Sequence, residues 1–248
     1  ALKRGWDEMA TTRVPIDIAE LYGLGEAAGQ LGIQNANISK FTETMAQLGV
    51  TTNMSADSAA TSMARFSNIM QMPQDEFDRL GAAVVDLGNN PATTEAEIVD
   101  MAMRVAGAGK QINLTEAEVM GLSAGMSSLG IQSERGGTAI SRSMLEMKTA
   151  VLSGTRELTV FAEVAGKSRE EFSRMFKENT IEAVLAFAEG LGKINQQGGD
   201  TTPILESIGL GGVRIIDVFG RMAGAGDLMR DSLKLSSKAW EENIALIE

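Results

Sequence analysis

Apolar residues in this chain return at offsets of 0, 3, 7 and 10, in one segment after another. Ile38, Phe41, Met45 and Leu48 follow that spacing, as do Phe77, Leu80, Val84 and Leu87. It recurs in Ile98, Met101, Val105 and Ala108, in Val119, Leu122, Met126 and Leu129, and in Ile181, Val184, Ala188 and Leu191. On an α-helix these four positions share one face, whereas on a strand they split between two. No segment sustains a period of two, so the chain is expected to be all-α.

The punctuation agrees. Pro15, Pro73, Pro91 and Pro203 sit in short polar joints just ahead of such segments, where a missing N–H costs least. Thr94-x-x-Glu97, Thr115-x-x-Glu118 and Ser168-x-x-Glu171 read as capping boxes, each with a hydroxyl and a carboxylate for the orphan donors of a first turn. Leu31-Gly32, Leu48-Gly49, Leu87-Gly88 and Leu129-Gly130 suit helix C-termini, where glycine takes the left-handed cap conformation. Helices are expected near 16–31, 36–49, 55–70, 74–88, 94–109, 115–129, 134–149, 156–165, 169–178, 181–195, 202–208, 212–223 and 227–247.

A repeat runs through the first half. Asn53-Met54-Ser55 matches Asn113-Leu114-Thr115, and the same step of 60 carries Ile38, Phe41, Met45 and Leu48 onto Ile98, Met101, Val105 and Ala108. The fold expected is a compact multi-helix bundle containing a duplicated three-helix unit, at 16–71 and 74–131. The organisation expected is a lead-in at 1–15, a helical domain at 16–150, a second helical lobe at 151–225 and a C-terminal helix at 226–248. Residues Ala1 to Trp6 resemble neither an initiator Met nor a signal sequence, and Trp240 to Glu248 read as the middle of a helix. The chain therefore reads as an excerpt of a longer, soluble protein, with the last helix continuing into the rest of it.

Composition narrows the chemistry. Of 248 residues none is His and none is Cys, which removes the commonest general base, thiolate nucleophiles, disulfides and every Cys-based metal site. Acidic residues number 33 against 22 basic ones, and the net charge of −11 opposes phosphate-backbone binding. The densest basic stretch, Lys167 to Lys177, also carries Glu170 and Glu171. The longest strongly apolar run, Ala183 to Ala188, is too short to span a bilayer. With 27 Gly, 15 Met and only 4% aromatics, the composition favours thin, closely packed helices.

Motif-like strings have plainer readings. Gly23-x-Gly25-x-x-Ala28, with Glu43 beyond it, matches a loose dinucleotide fingerprint but lacks the strand that must feed the turn. Gly166-Lys167-Ser168 is half of a P-loop, with Phe161 where a glycine is required, and reads as a helix cap. Gly121-x-x-x-Gly125 reads as close packing of two helices. The acid pairs Glu170/Glu171 and Glu241/Glu242 are adjacent, so they point apart on a helix and form solvated faces. No residue is assigned as catalytic, cofactor-binding or metal-ligating, no cofactor is expected, and a murein-cleaving role is not.

One stretch is more specific. Ile112-Asn113-Leu114-Thr115-Glu116-Ala117-Glu118, then Leu129-Gly130-Ile131, then Glu134-Arg135-Gly136-Gly137-Thr138-Ala139-Ile140, resembles the core region of phage tail tape measure proteins. Phe41-Thr42-Glu43-Thr44-Met45, Asp86-Leu87-Gly88-Asn89-Asn90, Thr94-Glu95-Ala96-Glu97-Ile98 and Trp240-Glu241-Glu242-Asn243 extend the likeness over roughly 16–248.

That resemblance implies a non-enzymatic structural protein of a bacteriophage or prophage-derived tail, which helps set tail length and assemble the tail tube. It implies several copies in the tube lumen, with tube subunits, tail assembly chaperones and other copies of the chain as partners. It places the protein in the virion tail, and in the host cytoplasm during assembly. From the residues alone the reading reaches an acidic, all-α scaffold, and the alternative is a helical repeat adaptor that binds protein partners in a groove. An adaptor calls for clustered exposed aromatics, whereas Trp6, Tyr22 and Trp240 are scattered.

Overall fold

Six of the described helices begin where an N-cap side chain satisfies one of the first free amides. In a computed structural model that describes residues 14–90 and 92–244, Thr94, Thr115 and Ser168 each form both halves of a capping box. The Thr115 amide donates to Glu118 at 2.8 Å while the Glu118 amide donates to Thr115 Oγ1 at 3.2 Å. Ser55, Asp17 and Asn179 cap three further helices through their side chains alone.

Thirteen helices result among the described residues, with no strand between them. They are α1 (Ile18–Gln30), α2 (Ile38–Thr51), α3 (Ala56–Met70), α4 (Phe77–Asn89), α5 (Glu95–Gln111), α6 (Glu116–Ser128) and α7 (Ser133–Ser153). There follow α8 (Arg156–Val164), α9 (Arg169–Glu178), α10 (Thr180–Gln196), α11 (Thr202–Ser207), α12 (Val213–Met222) and α13 (Gly226–Glu242). The all-α expectation holds.

Helix ends differ from expectation in several places: α7, expected to end at 149, runs on to Ser153, and three further differences have a visible cause. Gly32 and Gly130 do terminate helices, with φ of 83° and 68°. Gly49 and Gly88 instead lie within the last turns of α2 and α4. There they serve close approach. A Cβ on Gly49 would stand 2.8 Å from that of Ala56, and one on Gly88 would strike the Glu95 side chain. Third, α13 stops at Glu242 rather than near 247, because Asn243 turns left-handed at φ 47° and its amide bonds back to Ala239. Residues 245–248, most of the lead-in at 1–15 including Trp6, and Pro91 lie outside the described residues.

Within α1–α3 every pair of helices packs together, and the same is true within α4–α6. The eight residues related by the step of 60 are all buried. Gly49 and Gly109 are related by that step as well (109 − 49 = 60), and each sits against the helix that follows it. The matched tripeptides diverge in one respect. Asn53 Oδ1 accepts from the Ala96 amide at 3.2 Å, whereas Asn113 takes a left-handed φ of 61°. Between the two sets, α2 packs on α4 and α3 on α5, and Phe41 meets Phe77 edge-on at 4.7 Å.

Helix α7 lies along α5, and its glycines allow this: a Cβ on Gly137 would strike Arg104, and one on Gly136 would strike Ile131. Beyond it, Phe161, Phe172, Phe187 and Phe219 form a chain of ring contacts at 5.1 to 6.1 Å, which ties together α8, α9, α10 and α12. Such contacts add about 0.5–1.5 kcal/mol each beyond burial. The core is one cluster running from Val14 to Met229.

Candidate functional site

The motif strings fall where helix geometry needs them. Gly23, Gly25 and Ala28 lie inside α1, so their amides are spent within the helix and point at no pyrophosphate. Gly166 turns left-handed at φ 67° after α8, and Ser168 caps α9. Glu171 is taken up by that cap: the Ser168 amide, first among its partners, holds its carboxyl below the ordinary range. Glu170, Glu241 and Glu242 are exposed. Among the described residues no group of three or more acidic side chains is placed to hold a metal ion, and no helix is long and apolar enough to cross a membrane.

Clefts are shallow. One of about 210 Å³ lies between α5, α7 and α9, lined by Gln111, Leu114, Lys148, Leu152 and Phe176. Two lysines, Lys148 and Lys177, line it, and Lys148 is engaged, since its Nζ donates to the Gln111 carbonyl at 2.6 Å. Tyr22 and Trp240 are half-buried against the core, on helices α1 and α13.

The most constructed surface feature is the seat of α13. The helix lies on α6 and α4. A Cβ on Gly121 would come 2.8 Å from Leu233 Cα and 3.0 Å from the Ser232 carbonyl, and one on Gly125 would come 2.6 Å from Met229 Sδ. The Gly121-x-x-x-Gly125 string is thus a helix-packing seam within the bundle. Ser232 and Ser236 face it from α13, four residues apart and both buried.

Two polar nodes hold the ends of α13. Near its start, Arg230 donates to Glu182 Oε1 at 2.7 Å and to Glu189 Oε1 at 2.7 Å, both on α10. Its bonds to Glu182 first, then Glu189, raise the guanidinium above its ordinary value against the opposing effect of partial burial. Gly226 makes room, since a Cβ there would strike Glu189 Oε1. Near its end, Asn243 Nδ2 donates to Asp78 Oδ2 at 2.8 Å, and Arg79 donates to the Trp240 carbonyl at 2.8 Å. Lys40 pairs with the same Asp78 oxygen at 2.9 Å. Partial burial pushes the Asp78 carboxyl up, but the bonds from Asn243 and Lys40, the Lys40 charge and the Arg79 amide together leave it below its ordinary value.

None of these groups forms a nucleophile–base pair; what they build is a fastened helix. Sequence reasoning singled out none of Lys40, Asp78, Glu182, Glu189 and Arg230, and named Asn243 only within a segment that resembles tail proteins. The one available signal was the matched four-residue spacing of Gly121/Gly125 and Ser232/Ser236.

A family model described as phage-related minor tail protein matches residues 7–237. No curated protein and no solved structure matches the chain.

Proposed function

The chain belongs to the phage-related minor tail protein family, and from that premise we propose that it is a tape measure protein, which helps set tail length and assemble the tail tube. Membership makes it a phage tail protein with a structural role. The observation that supports the finer reading is the breadth of the match, 7–237, which takes in all but the last of the ordered segments resembling tape measure proteins. Tube subunits, assembly chaperones and other copies of the chain are its partners in this reading, first in the host cytoplasm and then in the tail. It acts without catalysis, cofactor or nucleic acid.

The measuring itself falls to sequence in another arrangement. Laid out as one helix, 248 residues would reach about 370 Å at ~1.5 Å per residue. The described residues instead pack their apolar faces on one another in thirteen short helices. Isolated helices of this length are marginal in water, so their packing is what sustains them. The region serves as a folded docking module of the tail.

An in-frame deletion of 74–131, with tails measured by electron microscopy, tests this. Failed or unstable tails are the expected outcome. Intact tails shorter by about 90 Å, the extended-helix length of the deleted unit, would show that the region is drawn out as the ruler. Tails unchanged in number and length would remove it from assembly altogether.

A further inference from the structure

Helix α13 differs from its neighbours in what holds it. Across its seventeen residues Met229 is the one large side chain that is fully buried, and the other buried positions are Gly226, Ser232, Ser236 and Ala239. The ten-residue α12 buries Ile215, Val218, Phe219 and Met222, and α10 buries Ile181, Val184, Leu185, Phe187 and Leu191. Leu233, Leu235 and Trp240 pack against the core only in part, so apolar burial, the main term resisting local opening, holds α13 less firmly than it holds α10 or α12.

Polar fastenings take its place. Arg230 grips Glu182 and Glu189 on α10, Ser236 bonds to α6, and Asn243 and the Trp240 carbonyl bond to Asp78 and Arg79 on α4. Arg230, Glu182 and Glu189 are each about a third exposed, so water and salt reach the grip. The three helices it joins belong to distant parts of the chain, and breaking these bonds leaves the apolar contacts of α1–α12 intact.

We propose that α13 is a strap that opens as a unit, releasing α4, α6 and α10 while α1–α12 stay folded and the Ala117, Gly121 and Gly125 face of α6 is laid bare. The strap is independent of the tail reading: it is a property of the bundle whatever the bundle serves.

Hydrogen–deuterium exchange on the full chain, read peptide by peptide, tests it. Amides of 226–242 are expected to exchange about tenfold or more faster than those of α5 and α10. Raising sodium chloride from about 0.05 to about 0.5 M should quicken them about threefold by screening the Arg230 grip, with α5 unmoved. Arg230→Met, which keeps much of the stem, should quicken 226–242 about tenfold further and leave α5 as it was. The proposal is overturned if α13 exchanges at the rate of α5, if its rate ignores salt, or if Arg230→Met quickens both helices alike. A variant that fails to fold would overturn it too, since the grip would then support the whole bundle and not one strap.

Discussion

The Ser236 hydroxyl donates to the Ala117 carbonyl at 2.7 Å, across 119 residues of sequence and in a fully buried setting. A carbonyl inside α6 already accepts a helical bond, so the serine takes its second lone pair. That bond forms only because the glycines of α6 let the two backbones approach, and it fixes the register of α13 along the seam.

Glycines of this chain should respond to alanine with opposite signs. At Gly121 the new methyl meets the Leu233 backbone, and a cost of about 2 kcal/mol is expected, or roughly 4–8 °C in Tm. At Gly23, in the interior of α1, nothing lies within 4 Å, and Gly23→Ala should stabilise by about 0.5–1 kcal/mol. Thermal unfolding of both variants checks this, and a destabilised Gly23→Ala would contradict the open space around it.

Gly190→Ala should be the most damaging of the series, because its methyl would run into the Val164 carbonyl, a backbone atom with no room to yield. The expected result is loss of the α8–α10 contact and of the ring chain through Phe161 and Phe187. Near-ultraviolet circular dichroism and Phe ring signals in NMR should show both.

Thr115→Ala removes one half of a reciprocal cap and should cost about 1 kcal/mol. Glu118→Gln keeps the acceptor and should cost less. Equal losses in chemical denaturation would mean that charge, not the bond to the Thr115 amide, supports the turn.

Acid should loosen the far end of α13. The Asp78 carboxyl is depressed in the folded state, so its contribution to stability is present above its unfolded value and is lost as pH falls through the folded one. Wild type should therefore exceed Asp78→Asn in denaturation midpoint at neutral pH, and the gap should close below the ordinary carboxylate value of 3.8. A gap that persists unchanged into strong acid would assign the difference to packing.

Limited proteolysis should cut first between Leu152 and Arg156 or between Gln196 and Thr202. Leu152 is 69% exposed, and residues 195–200 form an exposed run from the last turn of α10 into the joint after it. First cuts scattered through 20–145 would argue against a separate lobe at 151–225.

Helix number, order and most starts were legible because their signals are local. Thr94, Thr115 and Ser168 announce their helices within four residues, and each apolar quartet lies within eleven. The ends at Gly49 and Gly88 were not, because a glycine after leucine reads as a stop unless one knows that Ala56 or Glu95 crowds against it. The end of α13 was missed because Asn243 carries both the left-handed turn and a bond to Asp78, 165 residues away. The Arg230 grip was likewise beyond reach, since Glu182 lies 48 residues earlier and on another helix. Several parts of the resemblance to tail proteins have a physical reason: Thr115 and Glu118 form a capping box, Gly130 turns left-handed, and Gly136 and Gly137 let α7 lie against Ile131 and Arg104.

Glycine at the helix contacts also sets a width. Neighbouring helix axes stand about 8 Å apart where small residues meet and about 10 Å where large ones do. Cross-sectional area goes as the square of that spacing, so a bundle joined throughout like α6 and α13 occupies roughly two-thirds of the area that the same helices would need with leucine at the seams. Gly49, Gly109, Gly121, Gly125 and Gly137 all act in this direction. Through an opening of fixed diameter, such a bundle threads more chain per ångström of travel than an ordinary leucine-packed one.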